Sequence, residues 1–205
     1  VNNFSAKGIQ ALDYLLFSKS NPQEAVTFLS DKQVSDYVAD VIKDLKTNTK
    51  YVVDNWSTYS GAFIANSESN ADGTSMSTLV NELTKHYEAY IRRGKLGIPA
   101  GVFNGFSKQP MPGHVEALYA KKSLAALSRA MESMEKYFNG ISYVNGSNGE
   151  GLDDYLDFTD ARKDGELLSK VIQNQLSSIK DAINVLNVPL SNEVEVNNAL
   201  ANQSY

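Results

Sequence analysis

The stretch D-K-Q-V-S-D-Y-V-A-D-V-I-K-D-L-K-T-N-T-K-Y-V-V-D-N-W-S-T-Y-S, Asp31 to Ser60, decides the fold class. Its apolar residues Val34, Tyr37, Val38, Val41, Ile42, Leu45, Val52, Val53, Trp56 and Tyr59 recur at steps of three and four. That is the period of a helix with one apolar face. Asp31 is the expected N-cap, and Gly61 with the polar run N-S-E-S-N-A-D-G (Asn66 to Gly73) marks the end and a loop. No segment alternates convincingly with period two, so strands are not expected.

The same period governs the flanks. Upstream, K-G-I-Q-A-L-D-Y-L-L-F (Lys7 to Phe17) places Ile9, Leu12, Leu15 and Leu16 on one stripe, with Tyr14 and Phe17 beside it and Asn2 or Asn3 as cap. Gln10 and Asp13 lie three residues apart next to that stripe, where polar groups need partners or a ligand. Ser18 to Pro22 reads as a loop. Downstream, helices are expected over Ser75 to Arg93, His114 to Phe138, Leu152 to Phe158 and Gly165 to Leu186, and the tail from Val188 begins another. Between Gly94 and Gly113 the chain is irregular, rich in glycine and proline, yet carries Ile98, Val102, Phe103 and Phe106. Such a segment packs as a loop on the body. The expected fold is all-α, an up-and-down bundle of long antiparallel helices.

Composition narrows the function. A net charge of −5 with scattered lysines, from 19 basic and 24 acidic residues, argues against nucleic acid and against an anionic membrane surface. No apolar run reaches the roughly 18 to 20 residues of a membrane span. With no cysteine, disulfide scaffolds, thiolate metal sites and cysteine nucleophiles are excluded. Only His86 and His114 remain as imidazoles. His86 shares a helix face with Glu82 and Tyr90, as a solvated face does, and His114 and Glu116 form an H-x-E pair about 200° apart on a helix, unsuited to one metal. There is no phosphate-binding glycine loop, since G-x-P-x-G (Gly97 to Gly101) lacks both strand and lysine. Glu116, in the first turn of its expected helix, suits the dipole there as a cap and equally suits a site.

Three stretches, in order, resemble the imelysin family, also classed as M75 peptidases. G-I-Q-A-L-D-Y-L-L-F is similar to the family signature G-x-H-x-x-E followed by an aromatic and L-L-F. K-L-G-I-P-A-G (Lys95 to Gly101) resembles a loop between bundle helices, and V-E-A-L-Y-A-K-K-S-L (Val115 to Leu124) a glutamate–tyrosine–serine motif. G-L-D-D-Y-L (Gly151 to Leu156) also fits. The resemblance implies two packed helical bundles, export in bacteria to the periplasm or outer-membrane surface, often with a lipid anchor, and a link to iron acquisition. It also implies a metal or ligand site at the signature. Relative to that pattern, residues 1–205 read as one imelysin-like domain, a piece lacking upstream and closing helices.

The departures shape the functional expectation. Gly8 matches, but Gln10 stands where the resemblance expects histidine and Asp13 where it expects glutamate. An amide oxygen is a poor zinc ligand, and Asp is one methylene shorter. Glu116, Tyr119 and Ser123 match the third motif, whereas Ala117 and Ala120 replace serines. The expectation is therefore a non-catalytic binding protein of the cell envelope, with a signature at Gly8, Gln10 and Asp13 and a pocket at Glu116, Tyr119 and Ser123. Asp13 and Glu116 are the candidate ligands for a divalent metal or iron, their hard oxygens suiting Ca²⁺ or an iron complex better than zinc. The alternatives are an active M75 metallopeptidase and a structural surface interaction module.

Overall fold

The computed structural model describes residues 6–67, 73–196 and 198. It is all-α, with eight α-helices among the described residues, and it divides into two compact units. The first comprises residues 1–86 with 117–120, and the second residues 87–116 with 121–205.

In the first unit α1 spans Gly8–Phe17, α2 Pro22–Ser30, α3 Lys32–Ala65 and α4 Ser75–Lys85. The expected caps at Asn2 or Asn3 lie outside the described residues; α1 opens at Gly8, whose φ of +74° is left-handed backbone that glycine adopts without strain. Ala11 and Leu15 are buried on one side of α1 and Asp13 on the opposite side, while Ile9, Tyr14 and Phe17 are exposed. Leu15 of the predicted stripe is buried and Leu12 and Leu16 are partly so, and the Asp13 carboxylate is covered as well. Periodicity does not predict α2. Its signal is local: Asn21 accepts from the Glu24 amide at 2.9 Å, and Pro22 occupies the first turn, where its missing N–H costs nothing.

The cap predicted for α3 is present, Asp31 accepting from the Gln33 amide at 2.8 Å. The helix runs past Gly61, because one exposed mid-helix glycine weakens a helix by only about 1 kcal/mol. It packs against α1 and α2, and Val41 is its one buried residue. The polar loop that follows is closed at α4, where Ser75 donates from its amide and hydroxyl to the Asn66 carbonyl at 3.0 and 2.9 Å.

In the second unit a twelve-residue π-helix, His86–Gly97 (its first residue assigned to the other unit), takes the place of the end of the predicted third helix. Gly94 does not stop it: Ile98 still donates to Arg93 at 2.8 Å. The loop beyond packs in its first part only, since Phe103 and Phe106 are exposed. Pro99 and Ala100 are buried, Met111 donates its amide to Pro99 at 2.7 Å, and Asn198 donates to Ala100 at 3.0 Å. Gly101 has φ +87°, and a Cβ there would sit 2.6 Å from the Lys108 carbonyl, so only glycine fits.

The core of this unit joins α5 (Ser123–Phe138), α6 (Leu152–Phe158) and α7 (Leu168–Asn184). Ile91, Leu127, Met131, Phe138, Leu176 and Ile183 form its buried centre. A two-strand hairpin, β1 (Arg162–Lys163) and β2 (Glu166–Leu167), turns at Asp164-Gly165, both at positive φ, as a tight hairpin requires. It shortens the predicted last long helix at its start. The predicted tail helix exists as α8, Leu190–Val196, with Leu190, Glu193 and Val194 buried.

One predicted helix is materially different. The segment expected to run from His114 to Phe138 is helical only from Ser123. A single 3₁₀ turn covers Pro112–His114, and Ala117 (φ 47°) and Lys121 (φ 57°) are both left-handed, which breaks helical continuity on either side of residues 118–120. Glu116 is therefore not in the first turn of a helix.

Candidate functional site

The signature positions meet different partners in the two units. In the first, the Asp13 side chain is 6% exposed and reaches the turn formed by residues 117–120. Its Oδ2 accepts from the Tyr119 amide at 3.0 Å, and its Oδ1 accepts from the Ala120 amide at 2.8 Å. A carboxylate with a backbone donor on each oxygen makes charge-assisted bonds, stronger than neutral ones. These bonds give the turn its acceptors in place of the i→i−4 carbonyls a continuing helix would supply. The Ala117 and Lys121 backbones are the hinges that present the two amides together. An alanine in the left-handed region costs about 1 to 2 kcal/mol, which the clamp offsets.

Gln10 is exposed, one turn before Asp13 on α1, and its amide has no hydrogen bond among the described residues. Tyr14, four residues after Gln10 and so on the same side of the helix, meets Tyr119 edge to face, with ring centroids 5.3 Å apart at 74°. Tyr14 and Tyr119 are both about half exposed. The first unit therefore presents a polar and aromatic surface patch, Gln10, Tyr14 and Tyr119, over a buried clamp.

In the second unit Glu116 is ion-paired with Lys95, both partly buried. The buried Ser123 hydroxyl donates to the Glu116 backbone carbonyl. Lys95, at the end of the π-helix, belongs to the K-L-G-I-P-A-G stretch, so two of the three resemblance motifs are joined by this pair. On the same π-helix Arg92 Nε donates to Glu88 at 2.6 Å, and this bond holds the Glu88 carboxyl below the usual carboxylate range. His86 and His114 are exposed.

The structure thus brings together Asp13 with Tyr119 and the Ala120 amide, and separately Glu116 with Ser123 and Lys95. Among the described residues no group of three histidine, aspartate or glutamate side chains is arranged to hold a metal ion. Sequence reasoning missed the Lys95–Glu116 pair and the Tyr14–Tyr119 contact. The first spans 21 residues with no local signal, and the second joins two segments far apart along the chain.

Compared with known families, residues 2–203 match the family model described as imelysin, Peptidase M75. The chain belongs to the imelysin family. Neither curated proteins nor solved structures yielded a match to it. The family assignment and the all-α fold agree with the sequence reading, as does the lack, among the described residues, of any helix long and apolar enough to cross a membrane.

Proposed function

We propose that this imelysin-family chain is a non-catalytic binding protein of the bacterial cell envelope. The observation that carries this reading is the Asp13 clamp: both oxygens of the signature carboxylate accept backbone amides. A hydrolytic metal needs strong ligands and an open coordination position. Here the histidine position holds an exposed amide, Gln10, and the carboxylate position is spent on the chain itself. Glu116, the other candidate ligand, is neutralised by Lys95. This donor set does not fit a hydrolytic metal ion.

What it fits is an organic ligand with polar groups and a flat or apolar face. The Gln10 amide offers donors and an acceptor, and the Tyr14–Tyr119 pair offers ring edges and hydroxyls. A chelated iron complex is one such ligand, consistent with the link to iron acquisition that the family resemblance implies. Calorimetry tests this with Zn²⁺, Ca²⁺ and Fe³⁺ as bare ions against ferric citrate as the chelate. The reading expects flat titrations for the bare ions and a heat for the chelate that is lost in Gln10→Ala with Tyr119→Ala. Tight zinc binding, or proteolysis abolished by a chelator, would establish the metallopeptidase instead.

A further inference from the structure

The chain holds four asparagine–glycine pairs, at 104–105, 139–140, 145–146 and 148–149, and the structure sets the first apart from the rest. In such a pair the glycine nitrogen attacks the asparagine side-chain carbonyl, because glycine has no Cβ to obstruct the approach and a mobile backbone to make it. An amide already donating a hydrogen bond must give that bond up first. Gly140 donates to the Tyr137 carbonyl at 3.4 Å, Gly146 to Ser142 at 2.9 Å and Gly149 to Gly140 at 3.0 Å. The Gly105 amide has no acceptor among the described residues. The side chains differ as well. The Asn139 oxygen accepts from Gln173 at 3.2 Å, and the Asn145 oxygen accepts from the Ser147 amide and hydroxyl at 3.1 and 2.9 Å. A Cβ built on Gly140 would sit 2.5 Å from the Gly149 carbonyl, whereas one on Gly105 would stand in open space.

We propose that Asn104 is a deamidation site, and that its conversion unfastens the loop after K-L-G-I-P-A-G. The Gly105 nitrogen bonds to the Asn104 Cγ and gives its proton to a solvent base. The Cγ–Nδ2 bond breaks and ammonia leaves, closing a cyclic imide. Water then opens the imide at either carbonyl, giving aspartate or the β-linked isoaspartate. The net change is hydrolysis of one carboxamide, and nothing is oxidised or reduced. What Asn104 holds sets the consequence. Its Nδ2 donates to the Gln109 carbonyl, tying the two ends of segment 104–109 together. The Gln109 and Lys108 carbonyls lie 2.7 and 2.6 Å from the Cβ position of Gly101, so this tie keeps the returning chain against the buried Pro99–Ala100 turn. Deamidation replaces the donor with a carboxylate oxygen, which accepts only, and sets it against a carbonyl. The tie is then lost. The whole loop belongs to the second unit, so this chemistry is independent of the ligand proposed for Gln10, Tyr14 and Tyr119.

The test follows all four pairs in one sample. The chain is held in mildly alkaline buffer and digested at intervals, and mass spectrometry reads the deamidated fraction at each asparagine. Isoaspartyl methyltransferase labelling identifies the β-linked product. Asn104 should convert about fivefold faster or more than Asn139, Asn145 and Asn148, the factor that opening one further hydrogen bond of ordinary net strength imposes. In concentrated denaturant, where those bonds are gone, the four rates should draw together. The consequence is read separately in Asn104→Asp, which carries the product's charge on an ordinary backbone. The Met111 amide, which donates to Pro99 at 2.7 Å, should exchange several-fold faster in this variant than in the parent, with far-UV circular dichroism unchanged. Equal rates at the four pairs in the folded chain, or faster conversion at any of the other three, would overturn the assignment. Unchanged Met111 exchange in Asn104→Asp would overturn the unfastening.

Discussion

Replacing Asp13 by alanine removes both acceptors of the 117–120 turn, and its effect follows from the geometry. The Tyr119 and Ala120 amides lose partners at 3.0 and 2.8 Å, in a place where the accepting side chain is 6% exposed. Each buried donor left unsatisfied costs about 1 to 3 kcal/mol, so the pair amounts to roughly 2 to 6 kcal/mol. Against a typical native stability of about 5 to 15 kcal/mol, that is a large share. Asp13→Asn keeps one acceptor oxygen but turns an NH₂ group towards the other amide, and should lose about 2 kcal/mol or more. Urea unfolding followed by far-UV circular dichroism is the right assay, because the unit that holds Asp13 is helical. A loss under about 1 kcal/mol in Asp13→Ala would refute the clamp, since water would then be satisfying the amides as well as the carboxylate does.

Three further outcomes follow. Ala117→Gly should raise stability by about 0.5 to 1 kcal/mol, as glycine relieves the left-handed strain at φ 47° while surrendering some entropy; denaturant midpoints check it. Gly101→Ala should destabilise by about 2 to 4 kcal/mol, because a Cβ would meet the Lys108 and Gln109 carbonyls at 2.6 and 2.7 Å on a backbone at φ +87°; thermal unfolding by circular dichroism reads it. The pH profile should fall at both ends. Arg92 on Glu88, and Lys136 with Arg129 on Glu132, hold those carboxyls below their unfolded values, so their contribution is present above the unfolded value and is lost as pH falls through the folded one. Burial raises the Tyr137 hydroxyl, so the unfolded chain ionises first and stability declines as pH rises past about 10. Glu88→Gln should flatten the acid limb in denaturation curves between about pH 3 and 6.

The helical class was legible because the period of three and four is strong over Asp31–Ser60, and no competing period of two exists. The faces were less so. Periodicity says that α3 has an apolar stripe, and the stripe is there, but only its first half is covered. Nothing in a repeat tells which part of a face meets a neighbour. In α1 the stripe itself misleads, since Asp13 is buried by its bonds to the 117–120 turn while Ile9 and Phe17, one turn away on the same side, stay in solvent. The break before Ser123 was faint for a different reason. The six-residue step from Leu118 to Leu124 is its one trace in the apolar pattern, and the two left-handed residues that interrupt the backbone, Ala117 and Lys121, are neither of them glycine. The signature residues were identified from motif order, but what Asp13 touches depends on a segment 106 residues away along the chain.

The central claim is that the signature carboxylate holds the backbone of the 117–120 turn and does not serve a metal. Amide hydrogen exchange at Tyr119 and Ala120, followed by NMR with and without excess Zn²⁺, tests it most directly. The account predicts both amides strongly protected, indifferent to zinc, and exposed to exchange in Asp13→Ala. Unprotected amides in the parent chain, or zinc that releases them by drawing the carboxylate away, would contradict it.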